Sequence, residues 1–177
     1  MANFHIDAEN LHWLEGMDER HDHCLHGNAA ARIGERTLTY DECTVSSTAL
    51  YLLKSLTQDH IMYREANQML PCCGHLIVPA EDGENVHVCG CPNGIDWTVR
   101  HTAGSVELIL EDGYCVTVPM ADYCQEVLAF ARKIEDFYTA HPRKLPRDKF
   151  DRDGYLTFWR EWHRRKEEVC PTSFMVI

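Results

Sequence analysis

The chain has 177 residues, 45% hydrophobic and 25% charged, and 28 acids against 17 bases give a formal net charge of −11. This is the mix of a folded globular chain, and it excludes collagen-like, low-complexity and strongly disordered classes. At this length one domain over residues 1–177 is expected, with a core large enough to fold without staples.

Residues 1–20 carry only a weak helical pattern, through Leu11, Leu14 and Met17, among many acids. They hold neither the basic stretch nor the apolar stretch of a secretory signal. The longest apolar runs, such as Val127-Leu128-Ala129-Phe130-Ala131, are far too short to span a bilayer, and neither end shows a lipidation motif. The expectation is a cytoplasmic protein with reduced thiols and no membrane partner.

Residues 25–41 read as a hairpin that goes out through Ala31 and Ile33, turns at Gly34-Glu35, and returns through Thr37, Leu38 and Tyr40. Ser46-Ser47 then opens a helix with Leu50, Leu53 and Leu56 on one face. The middle is a run of strands: 75–79, 86–89, 97–102, 106–110 and 114–118, with turns at Asp82-Gly83, Ala103-Gly104 and Asp112-Gly113. Such turn pairs between β-branched runs predict an antiparallel meander.

Asp122 and Gln125 resemble a capping pair for a helix whose stripe is Tyr123, Val127, Phe130, Ile134 and Tyr138; His141-Pro142 stops it. A last helix starts near Asp151–Asp153 and carries Tyr155, Phe158, Trp159 and Trp162. The fold class is therefore α+β: an antiparallel meander with about three helices packed on it, the last one aromatic-striped.

Residues 141–168 hold nine bases and six acids, a local charge of +3, which leaves 8 bases and 22 acids, or −14, on the rest of the chain. Such a body repels phosphate backbones, so nucleic acid is not the expected partner. The basic segment either folds back on this body or meets an acidic partner, and Arg164-Arg165-Lys166 suit the negative end of a helix.

Four of the nine cysteines crowd into Cys72-Cys73-Gly74-His75 and His87-Val88-Cys89-Gly90-Cys91, on either side of Asp82-Gly83. Zinc takes four sulfur or imidazole ligands in a tetrahedron. A three-residue loop, Glu81-Asp82-Gly83, would set Ala80 opposite Glu84, His75 opposite Cys89 and Cys73 opposite Cys91. Opposed residues point the same way, with Cβ atoms roughly 5 Å apart. Cys73, His75, Cys89 and Cys91 would then form one Cys₃His face, a candidate structural zinc site. A two-residue turn at Asp82-Gly83 shifts the pairing by one residue and sends Cys73 and His75 to the other face.

His21-Asp22-His23-Cys24-Leu25-His26 raises the same question, but strand alternation would divide its ligands between two faces. Residues 151–158 resemble part of a calcium loop, yet Lys149 and Arg160 stand where that loop needs acids, so calcium is rejected. The aromatic stripe beside Arg160, Arg164 and Arg165 is explained by a core-facing helix more simply than by base stacking, with a partner-docking helix between the two. No nucleophile elbow, phosphate loop, dinucleotide fingerprint or zinc-protease helix is present.

The leading expectation is a small acidic binding protein that works through protein–protein contact with a basic partner, for example an inhibitor or immunity-type protein. A structural zinc is compatible with that reading. The alternative is a metal- or thiol-dependent enzyme centred on Cys72–Cys91.

Overall fold

The computed structural model describes residues 3–64, 67–74 and 76–169. Among these the fold is α+β, with three antiparallel sheets of two or three strands and three α-helices. The first sheet has the order β1 (Phe4–His12), β2 (His26–Ile33), β3 (Arg36–Cys43). β1 replaces the helix expected near the N-terminus. Phe4, Ile6 and Ala8 are buried at alternate positions and face Ile33, Ala31 and Ala29 of β2. This period of two prevails over the sparse leucine spacing because a strand paired along its length buries a whole face. The β2–β3 turn falls at Gly34-Glu35 as expected, with Gly34 at a φ of 58°.

α1 (Val45–Lys54) shows the expected leucine face, but the structure buries every residue from Val45 to Leu53. It lies against β2, α2 and α3, so it is a core helix packed on several sides rather than an amphipathic one. Ser46 Oγ accepts the Leu25 N–H at 3.0 Å, which ties its start to the first sheet.

The expected run of strands is present but divided. β4 (Leu76–Pro79) and β5 (Val86–Cys89) form a separate two-stranded ribbon, and β6 (Thr98–Thr102), β7 (Ser105–Ile109) and β8 (Cys115–Pro119) form a meander. β8 runs directly into α2 (Met120–Ala140), whose buried side is the predicted stripe with Ala131 added. Pro119 occupies the cap position without a side-chain hydrogen bond, so Asp122 and Gln125 are not the capping pair; Asp122 lies one turn inside the helix.

α3 (Lys149–Val169) begins ahead of Asp151–Asp153 because Asp148 serves as its cap, accepting the Asp151 N–H at 2.9 Å. The calcium-like stretch 151–158 is thus helical throughout. The basic segment folds back on the body. Lys144 is 5% exposed, sits 3.0 Å above the Trp13 ring and donates to the Glu19 carbonyl at 2.6 Å. Arg165, 4% exposed, pairs with Glu161 of its own helix, and Lys166 pairs with Glu135 of α2.

α3 holds the ribbon in two ways. A Cβ on Gly154 would stand 2.1 Å from the Ile77 carbonyl oxygen, so helix and β4 approach more closely than any side chain allows. Glu161, 0% exposed, accepts the Val86 N–H at 2.8 Å while Lys54 of α1 donates to the Val86 carbonyl at 3.1 Å. Lys54 also lies 3.3 Å from Glu161, which completes a buried charge network with Arg165.

Removing one member of such a network leaves the others buried without their counter-charge, which costs about 3–5 kcal/mol. Glu161→Ala is therefore expected to lower unfolding stability by about that amount. Urea denaturation checks this, and an unchanged midpoint would show that the ribbon is held by other contacts.

Candidate metal centre

The β4–β5 loop determines the register on which the four-ligand site depended. Ala80 N–H donates to the Asn85 carbonyl at 2.8 Å, and Gly83 N–H donates to the Ala80 carbonyl at 3.0 Å. The loop is thus Glu81–Glu84, four residues rather than the three expected. Asp82 accounts for the difference. Its carboxylate accepts the Glu84 and Asn85 N–H groups at 2.8 and 2.9 Å and the Asn85 side-chain amide at 2.6 Å. The amides of Asn85 and Glu84, with that side-chain bond, hold its pKa down to about 2. A carboxylate-centred turn, with Gly83 at a φ of 68°, therefore sets the loop length.

The ladder that follows pairs Leu76 with Cys89, Ile77 with Val88, Val78 with His87 and Pro79 with Val86. This is the register in which the expected face breaks up. Val86 and Val88 turn inward, while His87 and Cys89 are exposed. His75 lies outside the described residues.

Beyond the end of the ladder the two segments come together again at an isolated bridge. Leu70 and Ile95 exchange backbone hydrogen bonds at 2.9 Å in both directions. Between them, a Cβ on Gly90 would stand 2.2 Å from the Cys73 carbonyl oxygen, and one on Gly94 2.6 Å from the Leu70 carbonyl oxygen. Only glycine permits these approaches, and they bring Cys72 and Cys73 towards Cys91.

The result is a cluster of Cys72, Cys73 and Cys91, whose sulfurs all lie within 4.8 Å of one another; it is the one group of this kind among the described residues. Two of the four expected ligands, Cys73 and Cys91, are in it, and Cys89 is not. Cys72 was missed because alternation puts neighbouring residues on opposite faces. The ladder ends at Leu76, however, so alternation does not govern Cys72 and Cys73. The signal in the sequence was Gly74, directly after the cysteine pair.

The cluster has the donor set of a soft-metal site and could hold a metal ion. Sulfurs at two corners of a zinc tetrahedron lie roughly 3.8 Å apart, given a Zn–S bond of about 2.3 Å. The Cys91 N–H donates to the Cys73 sulfur at 3.0 Å, the kind of outer contact that orients a metal-binding sulfur. The sulfurs of Cys72 and Cys91 are also in disulfide contact, with Cα atoms 6.8 Å apart.

The second sequence cluster does not assemble. His21 donates to the Leu145 carbonyl at 2.6 Å, and His23 lies against Tyr155 at a ring separation of 5.1 Å. Asp22 accepts the Leu14 and Cys24 N–H groups and lies 3.7 Å from His26. Burial pushes the Cys24 thiol well above its ordinary range and the Cys43 thiol up to about 12, so both are small apolar fillers.

One further residue ties the cysteine loop to its surroundings. Asp96 is buried and accepts from His60 Nε2 at 2.8 Å, Trp97 N–H at 3.0 Å and Met69 N–H at 3.1 Å. It borders a cleft of about 620 Å³, walled by Leu38, Tyr63, Ile95, Leu110, Glu111 and Asp112 among others.

Fold and site together define an α+β protein with a three-sulfur centre at the base of a β-ribbon. Compared with known proteins, the chain matches no family model, no curated relative and no solved structure.

Gly90→Ala is expected to destabilise the protein by about 1–3 kcal/mol, the range for overpacking a tight contact. Thermal unfolding of the variant checks this; unchanged stability would show that the backbones need not approach so closely.

Proposed function

We propose that this chain is a binding protein whose β4–β5 ribbon is stapled by a structural zinc and whose acidic body docks a basic partner. The observation that carries the zinc is the Cys72, Cys73 and Cys91 cluster, with its N–H bond to the Cys73 sulfur. Three thiolates would bind the ion. Cys89 and His75, each two residues from a cluster cysteine, are the candidates for a closed fourth position. When bound, the ion would supply folding energy to a short ribbon and no chemistry of its own.

Charge supports the basic partner. Three of the nine cations of residues 141–168 are engaged internally: Lys144 on Trp13, Arg165 on Glu161 and Lys166 on Glu135. The net charge of −11 favours a cationic surface. The cleft beside the cysteine loop is lined by Glu111, by Asp112 paired with Arg36 at 3.7 Å, and by apolar Leu38, Ile95 and Leu110. The alternative, a metal- or thiol-dependent enzyme, is supported by the exposure of the cluster, whose three cysteines are all half-buried.

Elemental analysis of reduced protein purified without a metal column is expected to give about one zinc per chain. Cys73→Ser is expected to weaken zinc binding by more than about tenfold and to lower thermal stability with it. Zinc near zero in the unaltered protein would overturn the staple. His75→Ala and Cys89→Ser, compared in the same assay, identify the fourth ligand. If neither weakens zinc binding, the fourth position is open and the enzyme reading takes precedence. Partner binding is expected at low salt and to fall as ionic strength rises; a salt-insensitive complex would overturn the charge argument.

A further inference from the structure

We propose that the cluster is a site of reversible oxidation, in which a Cys72–Cys91 disulfide and the zinc ion are alternative clamps on the same ribbon; this rests on the zinc reading above. One arrangement of the backbone meets both requirements. Cys72 and Cys91 are already in sulfur contact across the two segments, while Cys73 remains a separate thiol within reach of both. Nothing else in the ribbon depends on the sulfurs. Its register is held by the β4–β5 ladder, by the Leu70–Ile95 bridge and by Glu161 and Lys54 on Val86. Exchanging one clamp for the other therefore leaves the fold in place.

Access separates this site from the other thiols. Cys24 and Cys43 are buried, with their thiols pushed up by burial, whereas the three cluster cysteines are half-buried. Thiolate character and exposure determine which cysteines are oxidised. The oxidant is a peroxide. One thiolate of the Cys72–Cys91 pair attacks a peroxide oxygen, breaking the O–O bond and, with one proton taken up, giving a sulfenic acid and water. The second thiolate then attacks the sulfenic sulfur, forming the S–S bond and, with a second proton, releasing another water. Two thiolates lose two electrons in all, and hydrogen peroxide gains them and becomes two waters. Cys72 and Cys91 would then no longer be able to hold a zinc ion, while Cys73 keeps its bond from the Cys91 N–H. A small dithiol reverses the change by exchange, ending as the oxidised disulfide itself.

The test uses the full chain, reduced and zinc-loaded, titrated with hydrogen peroxide in the presence of a chromogenic zinc chelator. Peptides are then mapped by differential alkylation, and the near-ultraviolet circular dichroism is recorded. The expected result is one zinc released per peroxide consumed, a Cys72–Cys91 crosslinked peptide, an alkylatable Cys73 and an unchanged dichroism spectrum. Dithiothreitol with added zinc is expected to restore the starting state. Cys72→Ser should abolish the crosslink, and Cys73→Ser should weaken zinc binding yet still crosslink.

Zinc retained through excess peroxide would overturn the proposal, as would a crosslink through Cys73 or loss of the native spectrum on oxidation. In each of these outcomes the structural zinc still stands. If the reduced protein takes up no zinc at all, the staple and the switch fall together, which separates the two failures.

Discussion

The outer edge of β5 is the constraint on which the rest of the ribbon depends. A two-stranded ribbon leaves one row of backbone groups on each strand without a ladder partner, and buried groups of this kind must be satisfied elsewhere. Here the helices supply the partners. Glu161 accepts the Val86 N–H, Lys54 donates to the Val86 carbonyl, and Tyr51 donates to the Val88 carbonyl at 3.3 Å. The Glu161 carboxylate can be fully buried only because Lys54 and Arg165 accompany it. Hydrogen bonding and charge compensation are thus one device, and it fixes a short hairpin against α1 and α3.

With that edge held, the ribbon can carry its cysteines past the end of the ladder to a defined place. The two segments meet through glycine: Gly90 lies against Cys73, Gly94 against the Leu70 carbonyl. The sulfurs gather where alternation no longer applies. A soft centre formed in this way closes the open end of the ribbon, opposite its Asp82-centred loop. Its three cysteines are half-buried, and the cluster could hold a metal ion.

The charge pattern has a similar logic. The basic C-terminal segment is partly a counterweight inside the molecule, since its cations reach an aromatic ring, a backbone carbonyl, Glu161 of their own helix and Glu135 of α2. The aromatic stripe of α3 is divided in use. Phe158 and Trp162 are buried, while Trp159 lies on the rim at 5.0 Å from Tyr138 of α2. Helix packing accounts for the aromatics that sequence alone left between core, partner and nucleic acid.

Much of the fold was legible in the sequence because its signals were local. Turn pairs at Gly34-Glu35, Ala103-Gly104 and Asp112-Gly113 fixed hairpins, and helical spacing from Tyr123 to Tyr138 fixed the buried side of α2. β1 was legible too, in the alternation of Phe4, Ile6 and Ala8, but it needed β2 as a partner to prevail over a competing pattern. The candidate site was legible only as a region. By itself the sequence determined the α+β class, the order of the main elements from residue 25 onward and the concentration of cysteines about one hairpin. Tertiary structure decided the register, through three hydrogen bonds to one Asp82 carboxylate, and hence which sulfurs meet. The reason is parity: strand pairing inverts a side chain's face with a one-residue shift, and no composition or spacing rule specifies which loop length wins.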